Sequence, residues 1–216
     1  MKKLTVFLII ALMIGMFAAC GGNNNSAVTE EPKEKIQTPE TQQTFDVSEK
    51  EVINIRITLE DGRTMNAELY PKIAPITVQN FVDLCTSGYY DGITFHRVVA
   101  GFVIQAGDPT ATGLGGSEKT IKGEFTENGF ENNLSHDRGV LSMARKSSDM
   151  DSASSQFFIV VSSDKKSSLD GKYAAFGKLT SGFNVLASIA SVETDPSTDK
   201  PLKDVVINNI RVVEGE

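Results

Sequence analysis

The chain has 216 residues, with 40% apolar and 23% charged content, which suits one folded domain with appendages and excludes a wholly disordered or fibrous chain. Its formal net charge is −7. That balance argues against a nucleic-acid partner, which would need clustered Lys and Arg on phosphates, and it offers no electrostatic pull toward anionic lipid.

The N-terminus reads as an export signal. Lys2 and Lys3 precede an apolar stretch from Leu4 to Phe17, followed by Ala18, Ala19 and Cys20. A charged start, a short apolar core and small residues have that form, and the stretch is short for a permanent span of about 30 Å of hydrocarbon. Loss of the two lysines with the signal leaves 19 basic against 28 acidic residues, a net charge near −9. The Ala-Ala-Cys ending resembles a bacterial lipoprotein signal. That resemblance implies removal of residues 1–19, a lipid on Cys20, and an extracytoplasmic domain anchored to the cell membrane without a spanning helix. An ordinary signal or an uncleaved anchor is the alternative.

Residues 20–48 are poor in apolar side chains, with no aromatic before Phe45. Such a segment buries too little surface to offset its ordering entropy and is expected to be a flexible tether reaching roughly 30 Å. Residues 49–216 are expected to form the folded domain, with order beginning near Val52.

Within that domain, Ile53, Ile55, Ile57 and Leu59 alternate with polar residues, the period of a half-buried strand. Asp61-Gly62 supplies a tight turn, and residues 64–70 continue as a second strand. Pro75 opens a helix at a position where its missing N–H costs nothing. Val78, Phe81, Val82 and Cys85 then recur at helical spacing before Gly88. Further strands are expected over 93–99, 102–107, 139–144, 155–161, 174–179 and 205–213, and a second helix over 183–192. The fold class is therefore mainly β: a closed eight-stranded antiparallel barrel capped by two α-helices.

Several chemistries lack their residues. One cysteine, Cys85, remains in the folded part, so no internal disulfide forms there, and no His/Cys cluster suits zinc. Gly113 to Gly116 is not followed by Gly-Lys-Ser/Thr, and no G-x-S-x-G occurs. His96 and His136 are a thin basis for a hydrolytic triad. Asp149 and Asp151 do not continue into a calcium loop. The segment 145–155 reads as a solvated loop.

The string FHRVVAGFVIQAGD (95–108) resembles the signature of the cyclophilins. GLGG (113–116), GVLSMA (139–144), SSQFFIV (154–160) and LDGKYAAFGKL (169–179) follow in that family's order and near its spacing, and TVQNFVDLCTSGYYDG (77–92) looks like its first helix. The resemblance covers residues 52–213. It implies a cyclophilin-like barrel and peptidyl-prolyl cis-trans isomerase activity, with no cofactor and no metal, acting as a monomer on proline-containing polypeptides. By motif match the catalytic positions fall on Arg97 and Gln105. The substrate-binding positions fall on Phe102, Val103, Ala144, Gln156, Phe158, Leu169 and Tyr173. Arg145 and Lys146 stand where other members often carry Asn and Ala, and the stretch to Gln156 looks about two residues longer. Ser168 and Tyr173 replace a common Trp and His. These departures imply weakened binding of cyclosporin. The alternative reading is a proline-segment binding or chaperone module with little turnover.

Taken singly, each residue has a plainer role: Arg97 as a surface ion-pair partner, Phe102 and Phe158 as core, Gln105 and Gln156 as partners of barrel backbone. Only their joint spacing favours a site. His96, adjacent to Arg97, is expected on the opposite face in a structural role.

Overall fold

The computed structural model describes residues 45–214. Eight antiparallel strands and two α-helices follow one another as β1 (Ile53–Leu59), β2 (Thr64–Leu69), α1 (Pro75–Thr86), β3 (Arg97–Val99), β4 (Val103–Ala106), β5 (Val140–Met143), β6 (Phe157–Val160), β7 (Ala175–Ser181), α2 (Phe183–Ile189) and β8 (Ile207–Val213). They form one sheet in the order β3-β4-β6-β5-β7-β2-β1-β8. β3 and β8 stand at its two ends. Their approaches meet at a single bridge, Thr94–Val206, and through loop bonds such as Phe95 N–H to the Val205 carbonyl at 2.9 Å. Where the sequence predicts a closed barrel, the eight strands form a curled sheet whose two end strands share no continuous ladder.

Alternation places the core. Ile53, Ile55, Ile57 and Leu59 of β1 are buried, and the same rule sends Ile104, Leu141, Phe157 and Ile159 into one large apolar cluster. α1 covers that cluster through Phe81, whose ring centroid lies 5.0 Å from Tyr90, 5.2 Å from Phe157 and 5.0 Å from Phe176. The residue before Pro75, Ala74, has no side chain that can cap the helix. The buried Glu124 does so instead: its carboxylate accepts from the Ile76 and Thr77 backbone N–H groups and from the Thr77 hydroxyl, satisfying donors that a helix N-terminus leaves open.

Two expectations need correction. The sequence predicts a tether to residue 48, yet Val47 is buried in the core and Gln79 of α1 holds both the Val47 N–H and the Phe45 carbonyl. Ordered packing therefore starts no later than Phe45. The strand expected over 93–99 is reduced to Arg97–Val99: before it, the Ile93 carbonyl accepts from the Ile207 N–H at the start of β8 and the Phe95 N–H bonds the Val205 carbonyl, with no continuous ladder between them. Among the described residues no helix is long and apolar enough to cross a membrane. The signal and Cys20 lie outside the described residues.

Candidate functional site

The sheet face opposite the main core carries a second, smaller apolar cluster: Val103, Val140, Phe158, Val160, Leu169 and Ala175, flanked by Phe102, Ala144 and Tyr173. The pairing register explains its position. Arg97 lies across from Gln105, Gln105 across from Phe158, and Phe158 across from Ser142. Directly paired residues share a face and sit about 5 Å apart at Cβ. A cation, an amide, an aromatic ring and a hydroxyl therefore form one row across β3, β4, β6 and β5.

This row borders a cavity of about 200 Å³. Arg97 and Gln105 stand on its polar side, and Phe102, Val103, Phe158 and Leu169 line its apolar part together with Ala144 and Tyr173. Eight of the nine residues expected from sequence thus meet at one cavity. The ninth, Gln156, belongs to the adjoining groove of about 760 Å³, which shares Gln105, Ala144 and Arg145 with the cavity. The larger, more polar groove suits an extended chain, and the smaller seat suits a compact apolar ring.

Gln156 connects the two. Its carbonyl accepts from Gln105 Nε2 at 2.8 Å, and its own amide donates to the Gly113 and Gly115 carbonyls at 3.0 and 2.7 Å. That glycine loop is organised by Asp108, whose carboxylate accepts from the N–H groups of Thr110, Thr112, Gly113 and Gly115 and from the Thr110 hydroxyl. Burial pushes the Asp108 pKa up, but these donors outweigh it and hold it at about 2. Gly107 joins β4 to this loop at φ +94°, and a Cβ there would lie 2.2 Å from the Ser155 carbonyl oxygen, so both conformation and space require glycine.

Behind Phe158 lies a buried polar chain that sequence reading set aside. The His136 ring stacks on Phe158 with centroids 6.0 Å apart. One ring nitrogen is 2.9 Å from the Asp170 carboxylate and the other 2.9 Å from Ser142 Oγ. Burial lowers the His136 pKa, with Asp170 opposing. The order Asp–His–Ser is that of a hydrolytic triad, but Ser142 is wholly buried and cannot reach a substrate. The chain supports the cavity wall. His96 is likewise buried, as expected for a structural residue, and burial lowers its pKa. Neither of its ring nitrogens has a hydrogen-bond partner among the described residues.

Three further residues shape the site, of which only Arg145 is marked in the sequence, as a departure from the family pattern. Arg145 lies 5.0 Å from the ring centroids of both Phe125 and Tyr173 and donates from Nε to the Lys172 carbonyl at 3.0 Å. Lys165 sits 5.5 Å from the centroid of the Phe102 ring. Asp199 forms an ion pair with Arg97 at 3.3 Å. The segment 145–155, expected to be a solvated loop, brings Arg145, Lys146 and Ser147 to the groove, but its Ala153 and Ser155 are buried. Among the described residues no three His, Cys, Asp or Glu side chains gather as a metal site.

The family model described as "Cyclophilin type peptidyl-prolyl cis-trans isomerase/CLD" matches residues 52–212. The chain belongs to the cyclophilin family. The human peptidylprolyl isomerase domain and WD repeat-containing protein 1 is 46% identical over 149 residues, which are 68% of this chain and 22% of that protein. The cyclophilin chain thus spans about a fifth of the length of the WD-repeat relatives it matches. A putative peptidyl-prolyl cis-trans isomerase of Staphylococcus aureus is 41% identical over 176 aligned residues, covering 69% of this chain and 87% of that one. Among solved structures, a Cryptosporidium parvum cyclophilin-type isomerase crystallised in the presence of the dipeptide Ala-Pro superposes with a TM-score of 0.67 at 36% identity. That match covers 75% of this chain and 99% of the other. This cyclophilin is therefore mainly β in the family's manner, with the row Arg97–Gln105–Phe158 on the outer face of its sheet.

Proposed function

We propose that this cyclophilin-type chain accelerates rotation about X-Pro bonds in exported proteins, without a covalent step. The observation that carries the reading is that Arg97 lines the same cavity as the apolar side chains of Phe102, Val103, Phe158 and Leu169. Rotation about a peptide bond breaks amide resonance, with a barrier of about 20 kcal/mol. A catalyst need only favour the twisted amide over both planar forms. In the twisted form the proline nitrogen becomes pyramidal and its lone pair becomes available. Arg97 offers several fixed N–H donors to that lone pair. Phe102, Val103, Phe158 and Leu169 would seat the proline ring in a dry surface, where the less polar twisted amide loses less on leaving water. Gln105, braced by Gln156, would hold the substrate backbone on one side of the rotating bond. None of these steps uses a cofactor.

Lys2, Lys3, the apolar stretch and Cys20 support a bacterial lipoprotein, extracytoplasmic and anchored by acyl chains. The seam bonds at Thr94 and Phe95 support a barrel closed through its loops. The altered rim, with Arg145, Ser168 and Tyr173, supports weakened cyclosporin binding.

Exchange spectroscopy on an X-Pro peptide tests the activity. Catalysed exchange is expected from the wild type, nearly flat in rate from mild acid to mild base. Removing one preorganised donor typically costs about 100- to 1000-fold, and Arg97→Ala is expected in that range. Binding of the peptide without faster exchange would sink the catalytic reading in favour of a proline-segment binding module. Metabolic labelling with a fatty acid, lost in Cys20→Ala, checks the anchor.

A further inference from the structure

We propose that Asp199 is a positioning residue for Arg97, fixing the guanidinium in the orientation that serves the isomerase site. The inference rests on the catalytic reading of Arg97 given above. β3, which carries Arg97, is three residues long and pairs with β4 alone within the sheet. So short a strand holds a long side chain poorly: an arginine carries about 2 kcal/mol of rotamer entropy.

The other edge of β3 is covered by the loop before β8. The Asp199 carbonyl accepts the Val98 N–H at 2.8 Å, which fixes its backbone one residue from Arg97. From there the carboxylate reaches Arg97 Nη2 at 3.3 Å. Engaging one terminal nitrogen leaves Nε and Nη1 for the substrate. The loop is built to hold this placement. Asp195 N–H bonds the Lys200 carbonyl, Asp199 N–H bonds the Asp195 carbonyl, Leu202 N–H bonds the Glu193 carbonyl, and Thr194 bridges Pro201. Asp199 itself adopts φ +59°, a left-handed conformation that glycine, asparagine and aspartate tolerate and most side chains avoid.

That backbone conformation provides clean variants. Asp199→Gly removes the carboxylate while keeping the turn and the carbonyl that bonds Val98. Asp199→Asn keeps both the turn and an oxygen acceptor. In the full-length chain, kcat and KM from peptide exchange should separate. Asp199→Gly is expected to lower kcat about two- to fivefold with KM and Tm near wild type, the scale of one exposed ion pair read as rate. Asp199→Asn should recover kcat to within about twofold. In an Arg97→Ala background, Asp199→Gly should have no further effect on kcat. A kcat for Asp199→Gly at or above wild type, beside a strongly impaired Arg97→Ala, would overturn the positioning role and leave the catalytic reading intact. An Arg97→Ala rate equal to wild type would overturn both.

Discussion

Glu124 caps the helix that carries Thr77, although 47 residues separate them: its carboxylate lies 2.8 Å from the Thr77 backbone nitrogen and 2.7 Å from the Thr77 hydroxyl. The same carboxylate takes the Ile76 N–H at 3.0 Å. α1 is thereby tied to the loop that follows the glycine turn at the site.

Breaking that cap should destabilise the domain. Glu124→Ala leaves buried helix donors without partners, at a cost of about 2 kcal/mol, or a fall in Tm of roughly 4–8 °C. Glu124→Gln keeps one oxygen acceptor and should cost less. Thermal unfolding followed by circular dichroism checks both; an unchanged Tm for Glu124→Ala would show that the cap is not needed.

The brace between Gln156, Gln105 and the glycine loop should matter for turnover more than for stability. Gln156→Ala removes three side-chain bonds at the edge of the groove and lets Gln105 move. We expect kcat/KM to fall about tenfold with Tm nearly unchanged, read by peptide exchange and calorimetry on the same samples. A loss of Tm that accounts for the lost activity would instead place Gln156 in the scaffold.

Acid stability should depend on Asp108. Its folded-state pKa is depressed to about 2 from an ordinary 3.8. The unfolded chain therefore takes up this proton first as pH falls. The stabilisation is complete above pH 4 and is lost as pH drops through the folded value near 2. Asp108→Asn should lower Tm at neutral pH and flatten its decline between pH 4 and 2. A parallel decline in wild type and variant would exclude Asp108 as the source.

The two histidines act in a higher window. Burial lowers the pKa of both His96 and His136 below the ordinary 6.5. Again the unfolded chain binds protons first, so their contribution is present above about pH 6.5 and declines as the solution is acidified from pH 7 toward 5. The Tm of the wild type should fall over that interval, and His136→Gln should remove part of the slope. Because His136 supports Phe158, the same variant should also weaken catalysed exchange. A slope unaltered by the substitution would count against the linkage.

The alternation of Ile53, Ile55, Ile57 and Leu59 and the helical spacing of Val78, Phe81, Val82 and Cys85 were legible in the sequence because they are local periodicities, and burial follows them residue by residue. Arg97, Phe102, Gln105 and Phe158 were legible as a group through their spacing in family-like strings, since spacing within and between strands survives as a linear record. The partners that reach these residues from far along the chain were not. Nothing in the local pattern around Asp199, Glu124 or Asp170 indicates which distant side chain each will meet, because an exposed-looking acid in a loop carries no period. The early start of packing at Phe45 was hidden for the same reason: its partner is Gln79, across the chain. Local sequence thus determined the strands, the helices and the residue types of the site. The tertiary structure decided which charges face one another, because long-range pairing depends on the register of the whole sheet and on where the loops between its strands come to rest.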